Sequence, residues 1–299
     1  MQAQSTVAQL KNASKRFGQV QAVKNVSLDI HAGEVLALLG PNGAGKTTAI
    51  SLLLGLLKPS IGSALLFGKD PQSTHSRIRT GVMLQLSGIP DTLKIKEHIH
   101  LYSSYYPKPL SLKDVLELSG LTGLENRWYG KLSGGQKQRL HLALAMCGNP
   151  DLVFLDEPTT GLDVASRRAL WEQVRNFIGK GRTVVLTTHY LEEADALADR
   201  IVVIGKGELM ADGSPTEIKA KAAGRKIRIV TSLRPSDIKA IKGVTSVKTD
   251  GAALEILAAQ AEPVVYKLLQ DDPSATGLEV SSAGLEDAFL ALTQERIAA

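Results

Sequence analysis

An α/β fold with a largely parallel sheet is predicted by three observations. Residues 35–39, 152–155, 183–187 and 201–204 are mainly apolar runs of strand length, as expected for strands buried on both faces. The segments between them carry helical patterns, such as Leu191, Ala194, Leu197 and Ala198 on one face between Tyr190 and Arg200. The 35–39 strand also runs straight into a glycine-rich loop followed by a helix.

Composition narrows the class. The 299 residues are 43% hydrophobic and 22% charged, which excludes a disordered or collagen-like chain. A net charge of +5 gives only a weak pull on an anionic partner. Cys147 is the one cysteine, so neither an intrachain disulfide nor a cysteine metal cage can form, and a reducing compartment is expected. No apolar stretch approaches the ~20 residues that span a bilayer. The polar first ten residues carry no secretory leader. The expectation is a soluble, cytosolic chain that acts at a membrane only through a partner.

Along the chain, Val26, Leu28 and Ile30 alternate with polar residues as a strand, and 31–33 is a turn. The helix after the glycine loop is predicted to reach about Leu57, stopped by Lys58 and Pro59. Residues 90–150 read as mostly helical, broken at Pro107 and Pro109. Ser111 and Asp114 cap a helix to about Leu118. Another helix begins near Gly134, passes through Leu140, Leu142, Leu144 and Ala145, and ends at Gly148, Asn149 and Pro150. Near residue 222 the composition shifts. Lys219, Lys221, Arg225, Lys226 and Arg228 read as a solvated linker. Beyond it, 244–257 reads as two strands about an Asp250-Gly251 turn, with short helices at 264–269 and 285–292. Leu285, Ala288, Phe289 and Leu292 form the stripe of the last one. This is a small C-terminal α+β appendix.

Gly40, Gly45, Lys46 and Thr47 match the spacing of a phosphate-binding loop, with Pro41, Asn42, Gly43, Ala44 and Thr48 completing it. Glycines let successive N–H groups face phosphate oxygens, and the following helix adds its positive end. Lys46 would neutralise phosphate charge and the Thr47 hydroxyl would ligate Mg²⁺. A chance match in a chain of this length has a probability of roughly 1%. Asp156 and Glu157 end the 152–155 strand, where one carboxylate can hold Mg²⁺ and its neighbour can take a proton from water. Leu132, Ser133, Gly134, Gly135 and Gln136 open a helix as a second glycine-rich anion cradle. One triphosphate needs one cradle, so the second makes sense if it serves another copy.

In this order the motifs resemble the nucleotide-binding subunit of ATP-binding cassette (ABC) transporters, over about residues 5–222. The resemblance implies a P-loop NTPase core with an antiparallel β subdomain and a helical subdomain at about 88–148. It makes residues 1–222 the nucleotide-binding domain and 223–299 an accessory domain. Residues 40–48 become the Walker A motif and 152–157 the Walker B. Ser133, Gly134, Gly135 and Gln136 become the signature that binds the γ-phosphate of ATP held by a partner subunit. Phe17 would stack on adenine. Gln85 would be the Q-loop glutamine touching Mg²⁺ and the attacking water. Asp163 would lie in the D-loop that crosses to the partner, and His189 would be the switch histidine that orients the water. The implied cofactors are ATP and Mg²⁺, the metal held by Thr47, Gln85 and Asp156. Glu157, His189 and Gln85 are the implied catalytic set. The other histidines, such as His98 and His141, fall in no motif and are expected at the surface or in packing.

The resemblance further implies a head-to-tail homodimer and a separate transmembrane permease docked by residues 85–130, with no nucleic-acid partner. That places the chain in the cytoplasm, peripheral on the inner face of the cell membrane. Residues 285–293 are similar to the tail of ABC-2-type exporter ATPases, the drug-resistance and sodium-efflux group, so export is expected over import. The alternative is a non-transport ABC ATPase acting on ribosomes or DNA. Such chains carry two cassettes or insert coiled coils or zinc modules before the signature; this one does neither. A third reading is a nucleotide-binding regulator without turnover, against which Glu157 and His189 argue.

Overall fold

The computed structural model describes residues 5–84, 89–179, 181–221, 225–282, 284–286 and 289. Contacts divide the chain into two compact units, 1–212 and 213–299, ahead of the composition shift near 222.

The first unit opens with two long antiparallel strands, β1 (Thr6–Phe17) and β2 (Val20–His31). Val26, Leu28 and Ile30 are buried between exposed neighbours, as their alternation requires. Then come β3 (Val35–Leu39), buried at every position, and α1 (Lys46–Leu53). The helix stops at Leu53, short of the expected Leu57. Gly55 takes φ +68, and the Leu57 N–H turns back to the Ser51 carbonyl at 3.1 Å. A left-handed glycine ends the helix before Pro59 can. The chain continues with β4 (Ile61–Leu66), α2 (Thr74–Arg77) and β5 (Thr80–Met83).

The helical stretch comprises α3 (Ile95–Ser103), α4 (Leu112–Leu118), a 3-10 turn at Tyr129–Lys131 and α5 (Gly134–Met146). Ser111 caps α4 by accepting from the Asp114 N–H at 3.1 Å. These helices share a core of Ile95, Ile99, Val115, Leu121, Leu140 and Cys147. Cys147 is wholly buried and donates its thiol hydrogen to the Leu144 carbonyl; burial pushes the thiol up. The unit closes with β6 (Leu152–Asp156), α6 (Val164–Ile178), β7 (Thr183–Thr188), α7 (Leu191–Leu197), β8 (Arg200–Gly205) and β9 (Glu208–Gly213).

Among the described residues this unit carries a three-stranded antiparallel sheet, β2-β1-β4, and a six-stranded sheet, β5-β6-β7-β3-β8-β9. The latter is parallel from β5 through β8. Parallel strands end on the same edge, and the register there is tight. Asp156 lies opposite Thr187, and Leu39 opposite Thr188. Ligands bind at such carboxyl edges.

The second unit contains α8 (Pro215–Lys221), β10 (Arg225–Val230), α9 (Pro235–Lys239), β11 (Val244–Asp250), β12 (Ala253–Ala258), α10 (Ala261–Asp271) and β13 (Thr276–Ser282). Its antiparallel sheet has the order β11-β12-β10-β13. From β10 onward the β-α-β-β-α-β succession is a ferredoxin-like split βαβ. The basic run is therefore not a linker throughout: residues 225–230 form a central strand. Ile227 and Ile229 alternate into the core with Ile256, Val264 and Leu268. The intervening cations are paired, Lys226 to Glu255 at 2.7 Å and Arg228 to Asp250 at 3.4 Å. The Asp250-Gly251 turn joins β11 to β12 as expected, with Gly251 at φ +60. Of the terminal stripe, Leu285 is buried and Phe289 half-buried, while Ala288 and Leu292 lie outside the described residues. Among the described residues no helix is long and apolar enough to cross a membrane.

One carboxylate ties α10 to the loop after β10. Asp272 accepts from the Ser274 hydroxyl at 2.5 Å, the Thr231 hydroxyl at 2.6 Å and the Ser232 N–H at 2.8 Å. The Ser274 and Thr231 hydroxyls, then Ser232, hold its carboxyl well below the usual carboxylate range. A lowered pKa stabilises the fold fully above the unfolded value of about 3.9 and ceases to do so as pH falls through the folded value. Between about pH 5 and about pH 2 the wild-type protein should lose more unfolding free energy than Asp272→Asn. Denaturant melts across that range, monitored in the second unit, check this; parallel pH slopes would refute it.

Candidate active site

The glycine loop joins β3 to α1, and two of its glycines are required by space. A Cβ on Gly40 would sit 2.3 Å from the Ile204 carbonyl oxygen. Gly45 has φ +108, and a Cβ there would sit 2.3 Å from the Ala22 carbonyl oxygen. The loop thus runs against β8 and β2 with no room for a side chain at either position. At its end the first-turn N–H groups of α1 point outward without helical acceptors, and no acidic residue occupies that turn.

Lys46 is 6% exposed and folds back on the loop, donating to the carbonyls of Gly40 at 2.7 Å and Pro41 at 3.2 Å. Burial pushes its ammonium down, opposed by the charges of Glu157 and then Asp156. A cavity of about 530 Å³ lies over the loop. Its walls include Phe17, Asn42, Gly43, Ala44, Gly45, Lys46, Thr47, Thr48 and Glu157, together with Ala22, which no motif marked. One aromatic face, a bed of N–H groups, a cation and a carboxylate suit a nucleoside triphosphate.

The acidic wall comes from the ends of β6 and β7. The Thr187 hydroxyl donates to Asp156 Oδ1 and accepts from the Glu157 N–H at 3.1 Å. The same N–H also reaches the Thr187 carbonyl at 3.1 Å. Glu157 is held at φ +50, a conformation that a glutamate rarely adopts. Its Oε1 lies 3.4 Å from His189 Nδ1, and its Oε2 accepts from the Thr160 hydroxyl at 3.1 Å. The His189 ring in turn lies 4.1 Å from that of Tyr190, over which Arg167 sits. Asp156, Glu157 and His189 thus converge within hydrogen-bond reach of one edge.

The remaining residues gather at two exposed helix starts. Ser133 caps α5 and exchanges reciprocal bonds with Gln136, at 3.3 Å to its N–H and 3.0 Å from its side chain. Asp163 caps α6, accepting from the Ser166 N–H and hydroxyl at 2.9 Å each. These bonds hold the Asp163 carboxyl below its usual range. The two caps touch, since a Cβ on Gly135 would meet Ser166 Oγ at 2.9 Å. Gln85 lies outside the described residues.

Motif reading missed Thr187 as a bridge and Gln138 as a donor to the Pro158 carbonyl at 3.0 Å. Thr187 carried a signal: it is a polar residue on a buried strand opposite an acidic one, but the pairing is invisible until the strand order is known. Gln138 carried none beyond its place two residues after Gln136.

A family model described as ABC transporter matches residues 23–160. The chain is 35% identical over 294 residues to the Nod factor export ATP-binding protein I of Burkholderia lata, covering 95% of each. It is 36% identical over 304 residues to the daunorubicin resistance ATP-binding protein DrrA2 of Streptomyces coeruleorubidus, covering 94% of this chain and 93% of the relative. The solved ATP-binding subunit of an ABC transporter superposes with a TM-score of 0.65 at 27% identity, over 72% of this chain and 93% of its own. A dimeric cassette in a post-hydrolysis state bound to ADP and phosphate gives 0.62 at 27% identity, over 69% and 98%.

Thr187→Val keeps the shape of the strand and deletes the bridge. Buried Asp156 then loses its donor, at a cost of about 1–3 kcal/mol. ATP turnover should fall by about tenfold or more, with KM for ATP within about threefold of wild type. Steady-state kinetics check this; unchanged turnover would refute the bridging role.

Proposed function

This chain belongs to the ATP-binding subunits of ABC transporters, and we propose that it powers a separate membrane-embedded exporter. It binds ATP and hydrolyses it. The observation that carries the detailed reading is the cavity where the glycine loop, Lys46 and Glu157 meet, with His189 3.4 Å from Glu157.

In the proposed cycle adenine stacks on Phe17. The phosphates lie on the N–H groups from Gly43 to Thr48, and Lys46 exchanges its loop carbonyls for phosphate oxygens. The Thr47 hydroxyl and Asp156 offer the hard oxygen donors that Mg²⁺ prefers, with Gln85 as a third. When bound, the ion neutralises charge on the β- and γ-phosphate oxygens. Glu157 takes a proton from water as the water oxygen attacks the γ-phosphorus and the bond to the β–γ bridging oxygen breaks. ADP and inorganic phosphate are the products. His189 orients that water against the γ-phosphate.

A homodimer completes the site. Ser133 and Gly134 are exposed at the start of α5, whose first turn carries no acidic residue. That open positive helix end faces the γ-phosphate of the partner copy, with Gln136 and Gly135 beside it and Asp163 at the crossing. Phosphate charge held by one subunit and helix end by the other draws the pair together, and cleavage releases them. The permease docks on the helical side. Tyr102 and Tyr106 from that side, with Leu54, Leu66 and Leu84 from the main core, line an apolar groove of about 390 Å³. Leu56, which also lines it, is 61% exposed. The names of the relatives favour export, and such a partner would hold the chain on the inner face of the membrane.

Glu157→Gln should bind ATP as wild type does, lose turnover by about 100-fold or more, and accumulate as a nucleotide-bound dimer. ATPase assays and light scattering read both effects. Full activity in the variant would refute the base assignment. A strictly monomeric variant at every concentration would refute the sandwich.

A further inference from the structure

We propose that Tyr129, His141 and Gln138 form a one-directional hydrogen-bond chain that positions the Glu157 turn from the helical side. This rests on the ATPase reading above and adds three positioning residues to it. The direction follows from one unambiguous group. The Pro158 carbonyl can only accept, so the Gln138 amide nitrogen, 3.0 Å away, must donate to it. That turns Gln138 Oε1 toward His141 Nδ1 at 3.1 Å, which must therefore carry the hydrogen. His141 Nε2 is then bare, and the Tyr129 hydroxyl at 2.9 Å donates to it.

The surroundings fit a neutral imidazole between neutral partners. Tyr129 and His141 are both buried, with ring centroids 5.8 Å apart and planes at 24°. Burial, then Lys137 and His98, push the His141 imidazole down, and burial pushes the Tyr129 phenol up. Tyr129 is anchored in turn. Its N–H donates to the Leu93 carbonyl at 2.9 Å, the Gly130 N–H to Asp91 at 3.2 Å, and His98 packs edge-on at 5.6 Å. The chain thus starts on residues 91–93, on the helical side.

The Glu157 turn has a specific need for such support. Glu157 sits at φ +50, and strain of that kind persists only where neighbours over-determine it. Thr187 pins the N–H on the upstream side. Downstream, Pro158 has no N–H to hold. The Glu157 carbonyl accepts from the Thr160 N–H at 3.2 Å, and the Pro158 carbonyl beyond it is taken by Gln138.

Two measurements on the full-length protein test this. Long-range nitrogen–proton NMR of ¹⁵N-histidine protein, with His141 assigned by its loss in His141→Gln, should show the Nδ1–H tautomer. The Nε2–H tautomer would overturn the chain. Tyr129→Phe removes only the hydroxyl. It should lower kcat for ATP at least about threefold with KM unchanged and melting temperature within a few degrees, and Gln138→Ala should do the same or more. Wild-type kcat in both variants would overturn the positioning role while leaving the ATPase reading intact. A wild-type protein that does not hydrolyse ATP would sink that earlier reading, and the tautomer would still decide the chain.

Discussion

The hydrogen-bonded register of β6, β7 and β3 sets Asp156 level with Thr187 and Leu39 level with Thr188. In a sheet, moving one strand by a single residue turns every side chain to the opposite face. A slip of β7 would carry Thr187 away from Asp156 and leave the Glu157 N–H without its hydroxyl. The same slip would move His189 off the carboxylate it faces. The full burial of β3, β6 and β7 makes such a slip prohibitive, because each strand packs apolar residues on both sides. The chemistry at the rim is thus held in place by the core beneath it.

Against that fixed edge the glycine loop is defined by exclusion. Gly40 and Gly45 lie where a methyl group would strike the carbonyls of Ile204 and Ala22, so β8 and β2 shape the loop from outside. Lys46 is satisfied by loop carbonyls. A buried ammonium with no partner would be costly, so these two bonds tie the side chain to the loop.

How far the chain could be read in advance depended on what each signal required. Gly40, Gly45, Lys46 and Thr47 were legible because their spacing encodes a local shape, and the strand and helix on either side are local too. Asp156 and Glu157 were legible as the end of an apolar run. Residues 225–230 form a strand rather than a linker because charge masks alternation: Ile227 and Ile229 point inward while Lys226 pairs with Glu255 on adjacent β12 and Arg228 with Asp250 at the end of β11, one strand further. Short α9 and exposed β13 gave no period to recognise, so the ferredoxin-like order emerged only with the sheet. His141, expected at the surface or in packing, is buried and stacks on Tyr129. Gln138 stands three positions earlier on the same helix, a spacing common to every helix face, and Tyr129 lies 12 positions away on another element. Contacts made across elements leave no trace in spacing.

The isolation of Cys147 has a practical corollary. It is the only sulfhydryl in the chain, it is sealed among the helices of the first unit, and its ionisation is suppressed there. Alkylating dyes and spin labels attack the thiolate, so they would leave it untouched in the native state. The wild-type background would then be silent, and a cysteine placed on an exposed helix start would report on its own surroundings without first stripping the molecule of its native thiol.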